Sequence, residues 1–258
     1  MRYLLALSLL FFLTINADAA VKTALVEYTQ GNVVLEGYLA WDDSSTAQRP
    51  GVLIVHEWTG INDHMRQRAE MLAKLGYVAF AADIYGKGIR PAAQPEAAKT
   101  AGIYKNDRPL MRARAAAGLA ELRRHKLTDP ARVAAIGYCF GGTTVLELAR
   151  SGADVNGVIS FHGGLSTPTP QDARNIRGKV LALHGADDPF VKPDEVAAFQ
   201  DEMRKGGVDW QFISYSKAVH SFTNKAAGND NSKGAAYNEK ADLRSWEAMK
   251  QFFAEIFR

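Results

Sequence analysis

The sequence predicts an α/β chain: a mostly parallel, doubly wound sheet opened by an antiparallel hairpin. Three observations carry that reading. Short apolar, β-branched runs lack the alternation of a one-faced strand, so each reads as a strand buried on both sides. They are Gly51–His56, Tyr77–Ala82, Val133–Ile136, Gly157–Phe161 and Lys179–His184. Segments with apolar residues every three or four positions lie between them, as crossover helices do. The first two strand-like runs, Ala24–Thr29 and Val33–Trp41, are separated only by Gln30-Gly31-Asn32, which suits an antiparallel pair.

Residues 1–19 read as a secretory leader: Arg2, an apolar run from Tyr3 to Leu13 too short to span a bilayer, then Ala17-Asp18-Ala19 as an A-x-A cleavage site. A leader implies periplasmic or secreted localisation, with no membrane partner after cleavage. Residues 20–258 read as one domain, since no linker, repeat or low-complexity tract divides them. After the hairpin, Asp42 to Pro50 is a polar turn leading to the first buried strand. Asn62 to Leu75 reads as a helix capped by Asn62 or Asp63, with Met65, Ala69, Leu72 and Leu75 inward and Gly76 as its stop. Gly86 to Pro95 reads as irregular. Asp107 to Lys126 is a long helix with Met111, Ala115, Leu119 and Leu122 on its inner stripe. Thr143–Arg150 comes after the Val133 strand as a helix. Asp194–Lys205 carries Val196, Phe199 and Met203 inward. Asp209–Tyr215 alternates like an edge strand. Ala241–Phe257 closes the chain, with Leu243, Trp246, Met249, Phe253 and Phe257 as its inner residues.

Composition excludes several function classes. The net charge is +3, and cations such as Arg112, Arg114, Arg123, Arg124 and Lys126 are spread along helices, so no nucleic-acid surface is expected. The histidines stand in separate segments without short ligand spacing, so no metal is expected. Gly137 to Gly142 lacks both the Walker lysine and the three-glycine dinucleotide spacing, so no nucleotide cofactor is expected either. The chain has one cysteine, Cys139, which cannot form an internal disulfide and is an oxidation liability in an exported protein.

That cysteine stands at a strand-to-helix turn, Gly137-Tyr-Cys-Phe-Gly-Gly142, with Gly at −2 and +2. This is the nucleophile-elbow pattern with Cys in place of Ser. A side chain at either flanking position would collide with the neighbouring strand and helix. The helix N-terminus favours thiolate and faces a developing oxyanion. The bland reading is a small buried Cys in a Gly-rich turn. Against it, other reactive residues collect at strand ends, where sites form in such sheets. His56-Glu57-Trp58, Asp83-Ile84-Tyr85, His162, Asp187-Asp188 and Val219-His220 all stand there. In the order Cys, Asp, His they make a hydrolase arrangement. Cys139 would be the nucleophile, His220 the base and Asp188 the acid that orients the imidazole. Asp187 is the alternative acid and reads better as a turn residue. His162 reads as structural or as a pocket wall.

Together, Gly137-Tyr-Cys-Phe-Gly-Gly142, Asp188-Pro-Phe-Val191, His220-Ser-Phe-Thr-Asn224 and Val55-His-Glu57 with Gly60 and Met65-Arg66 resemble the dienelactone hydrolase family. The resemblance spans nearly all of residues 20–258. It implies an α/β-hydrolase fold without a large cap domain, no cofactor, and hydrolysis of a small-molecule ester, thioester or lactone through a cysteine acyl-enzyme. It also implies that Glu57 contacts the resting thiol and that the main-chain N–H groups of Trp58 and Phe140 form the oxyanion hole. Where the family holds a substrate carboxylate with two arginines, this chain has Lys87, with Arg90 close by, and Asn224. Two other classes compete. One is an inactive α/β-hydrolase scaffold that binds a ligand or partner. The other is a thiol-redox protein, disfavoured because no second cysteine could resolve a mixed disulfide. The segment Lys225 to Lys240 reads either as a pocket rim or as a surface loop.

Overall fold

The computed structural model describes residues 21–258; the expected leader, residues 1–19, lies outside them. One eight-stranded sheet runs through the described residues. Its strands are β1 (Val21–Gln30), β2 (Val33–Asp42), β3 (Arg49–Val55), β4 (Val78–Ala82), β5 (Thr128–Tyr138), β6 (Gly157–Phe161), β7 (Lys179–Gly185) and β8 (Trp210–Tyr215). The spatial order is β1-β2-β4-β3-β5-β6-β7-β8. β2 pairs antiparallel with both β1 and β4, and every later pairing is parallel. The hairpin turns through Gly31-Asn32, and Gly31 takes a φ of 56° that glycine accepts without strain.

Among the described residues six α-helices cover the sheet: α1 (Asp63–Lys74), α2 (Gln94–Asn106), α3 (Arg108–Arg124), α4 (Phe140–Arg150), α5 (Pro193–Gly206) and α6 (Glu239–Ile256). The strand period of two decides which side each residue faces. Leu53, Val55, Val133 and Ala135 pack under α2–α5 with Tyr104, Met111, Leu119, Val145, Phe199 and Met203. Their neighbours Val52, Ile54, Ala134 and Ile136 pack on the other face under α1 and α6, against Met65, Leu72, Met249 and Phe253. Both faces of β3 and β5 are therefore sealed, as the uninterrupted apolar runs predict. α4 is the most enclosed helix, with all eleven residues buried.

The structure departs from the expected elements at particular points. A helix, α2, occupies residues 94–106, where the sequence pattern is silent; Pro95 stands in its first turn and opens it. α4 begins at Phe140, directly after Cys139, not at Thr143. α3 ends at Arg124. Leu75 is the C-cap of α1 and is exposed, and Leu243 is 62% exposed on the outer side of α6.

Candidate active site

The elbow is built by crowding. A Cβ on Gly137 would lie 2.0 Å from the Gly141 carbonyl oxygen, and one on Gly141 would lie 2.1 Å from that of Val55. The chain can therefore turn from β5 into α4 this tightly only with glycine at both places. Cys139 takes the strain, at φ 55° and ψ −114°; such backbone costs about 1–3 kcal/mol and persists where the surroundings enforce it. Its N–H is shared between the Phe161 carbonyl (3.0 Å) and His162 Nδ1 (3.2 Å). Sγ is left partly exposed at the N-terminus of α4.

Two loops reach this sulfur. The loop after β7 brings Asp188, whose Oδ1 accepts the Phe190 N–H at 2.9 Å. The loop after β8 brings His220, which is pinned by main-chain pairing: its N–H donates to Gly234 O, and the Ala236 N–H donates to its carbonyl. Residues 234–236 of the Asn- and Gly-rich segment thus buttress the histidine. The structure brings Cys139, His220 and Asp188 into line. His220 Nε2–H points to Cys139 Sγ at 3.0 Å, and Nδ1–H donates to Asp188 Oδ2 at 2.8 Å. The Asp188 carboxylate is fully buried and the His220 side chain is 13% exposed. The alternative acid, Asp187, is exposed.

Electrostatics favour charge on the imidazole. Burial opposes protonation of His220, but the Cys139 sulfur and the Asp188 carboxylate outweigh it and push the imidazole up to about 10. A raised value stabilises the fold where the group is protonated. That contribution is complete below the ordinary 6.5 and is lost as pH rises through about 10. Two-dimensional NMR of the imidazole should show this high midpoint, and Cys139→Ala should lower it, because the sulfur is the largest raising influence. An unchanged midpoint in that variant would contradict the coupling of the sulfur to the imidazole. His162, beneath the pair, behaves oppositely. Burial, then the charge on His220, hold it well below 6.5. Neutral, it can accept from Cys139 N at Nδ1 while Nε2–H donates to Thr223 Oγ1 at 2.8 Å.

Among the described residues, neither the Phe140 nor the Trp58 N–H has a hydrogen-bond partner. Trp58 is oriented by its carbonyl, which accepts the Tyr85 hydroxyl at 2.9 Å. Tyr85 is itself packed against His56, Tyr104 and Phe140.

The remaining site expectations meet a different geometry. Glu57 is buried, but its carboxylate makes no bond to Cys139. It accepts Asn224 Nδ2 at 2.7 Å, Asn62 Nδ2 at 3.3 Å and His64 Nδ1 at 3.4 Å. Burial works against its charge, and the bonds from His64, Asn62 and Asn224 outweigh it, holding the carboxyl below the usual range. Asn224 is therefore occupied with Glu57. Lys87 is exposed, with its ammonium taken up by Glu27 and Glu36 of the opening hairpin. Arg90 lies across Gly60 and is bound by Asp83 (3.5 Å) and by the Ile89 and Gly86 carbonyls, lining a separate cavity of about 160 Å³ beside Tyr38 and Ile61. His64, Asn62 and Thr223 are the site-shaping residues that pattern reading misses; only the position of His64 and Asn62 around the start of α1 hinted at them.

Residues 35–257 match the model of the dienelactone hydrolase family. The solved structure m3DLH is 44% identical with a TM-score of 0.89, covering 93% of this chain and 100% of its own. A dienelactone hydrolase-like promiscuous phosphotriesterase from metagenomic libraries is 41% identical with a TM-score of 0.88, over the same 93% and 100%. A putative carboxymethylenebutenolidase of Synechocystis is 28% identical over 90% of this chain and 96% of its own length.

Proposed function

The chain belongs to the dienelactone hydrolase family and is a hydrolase acting on ester or lactone bonds, and from that premise we propose that Cys139, His220 and Asp188 act as a triad through an acyl-enzyme. The observation that carries this reading is the pair of contacts on one ring, 3.0 Å to sulfur and 2.8 Å to carboxylate.

The charges set the order of steps. Cys139 Sγ gives its proton to His220 Nε2 and attacks the carbonyl carbon of an ester, thioester or lactone. The oxygen that becomes negative is received by the Trp58 and Phe140 N–H groups, each worth on the order of 10² to 10³ in rate. His220 Nε2–H then protonates the departing alkoxide, leaving a thioester on Cys139. In the second half His220 takes a proton from water, hydroxide adds to the thioester, and the acid leaves as the thiolate returns. Asp188 holds the ring and its charge throughout. With Lys87 and Arg90 held by carboxylates and Asn224 by Glu57, the site offers a substrate no free cation among these residues, which favours neutral acyl groups over dicarboxylates.

Turnover of aryl esters of increasing acyl length, by the protein lacking its leader, tests the reading. Release of phenol by wild type supports it, and no release across the series points instead to an inactive scaffold. The apolar run Tyr3 to Leu13 and the Ala17-Asp18-Ala19 site support export to the periplasm or beyond. Protein recovered from outside the cytoplasm should begin at Ala20; recovery of Met1 there would overturn the leader assignment.

A further inference from the structure

Beneath the site lies a charged residue that the hydrolytic steps do not use. Arg68, on the inner side of α1, is 5% exposed. Its guanidinium is gripped on every side. Nη2 donates to the Thr223 carbonyl at 2.9 Å and to Asp242 of α6, Nε donates to His64 Nε2 at 3.1 Å, and Nη1 reaches Met71 Sδ at 3.9 Å. Its carbon sits 5.2 Å from the Trp246 ring centre and 5.8 Å from that of Tyr138.

These partners span the machinery. Tyr138 immediately precedes the nucleophile. Thr223 stands three residues after the base, and its hydroxyl contacts His162, which in turn receives the Cys139 N–H. His64, fixed as an acceptor at Nε2, must carry its proton on Nδ1 and turn it toward Glu57, which holds Asn224. One planar fork thus touches the residue before the sulfur and the loop after the imidazole, and reaches the Glu57 carboxylate through His64. A lysine could meet Asp242 but could not fork to His64 and Thr223 together.

We propose that Arg68 is a positioning residue that holds the Cys139 elbow and the His220 loop at their working separation, through Tyr138, Thr223 and His162. This rests on the triad reading above. Its effect is geometric, because a displacement of about 1 Å between reacting groups can cost on the order of 10²-fold in rate.

The test uses two variants and two readouts. R68K keeps a cation beside Asp242, and R68M/D242L removes both charges, so neither leaves a buried ion alone. Folding is checked by circular dichroism and thermal melting. In either folded variant kcat for an aryl ester should fall by about 10-fold or more, with KM nearly unchanged, and Cys139 alkylation by iodoacetamide should slow in parallel. A scaffold role alone would lower the melting temperature while leaving kcat and alkylation of the folded protein at wild-type values, and that result would overturn the proposal. Alkylation is read without any substrate, so a wild type that hydrolyses no ester would sink the hydrolytic reading while still reporting on Arg68.

Discussion

Replacing Cys139 by Ala is expected to lower kcat/KM for an aryl ester by about 10⁴-fold or more, the scale on which losing the nucleophile of a triad acts. Position matters here as much as chemistry. The sulfur is the side chain that the elbow presents to His220 Nε2 at 3.0 Å, and no hydroxyl stands in its place to substitute. The side chain removed is small and partly exposed, so the fold should survive. The same variant should still bind a substrate analogue, since Phe190 stays packed against His220 beside the site. Wild-type turnover in this variant, measured by steady-state kinetics, would show that the chemistry runs elsewhere.

The second large effect is expected at the base. His220→Gln should cost about 10²- to 10⁴-fold in kcat, because the leaving group then lacks its acid and the attacking water its base. Asp188→Asn should fall in the same range for another reason. An amide can donate toward Nδ1 and leave the ring in the wrong tautomer. Asp188 is buried and accepts both His220 and the Phe190 amide, so the effect should appear as a kcat loss with some loss of stability. Asp187→Asn, on the exposed neighbour, should match wild type. Equal losses at 187 and 188 would contradict the assignment of the acid.

Much of this is legible in the chain because a parallel sheet converts sequence order into spatial order. Apolar runs mark the inner strands, and the residues just past the carboxyl end of each run fall on one rim. Cys139, Asp188 and His220, drawn from the ends of β5, β7 and β8, can therefore be grouped from sequence order. The glycines at 137 and 141 report the elbow because nothing larger fits against Gly141 O and Val55 O.

The features that sequence pattern hides depend on partners distant in the chain or on faces that are not apolar. α2 buries only Ala97, Ala101 and Tyr104, too slight a stripe to read, and its opening Pro95 resembles a breaker. On α6 the inner face includes Asp242 and Ser245, so an apolar stripe wrongly takes in Leu243, which faces out. Asp242 can be inside because Arg68 meets it there. Lys87 sits at a promising position in the chain, yet Glu27 and Glu36 come across from the hairpin and hold it. Glu57 likewise is expected at the thiol, and the shortest of its hydrogen bonds comes from Asn224, 167 residues away.

The most direct measurement is the mass of the intact protein, quenched within the first turnovers of an aryl ester. Wild type should carry one acyl group, located on the peptide containing Cys139, and Cys139→Ala should carry none. Hydrolysis with no acyl group on that peptide, or with the group on a different residue, would contradict the acyl-enzyme route.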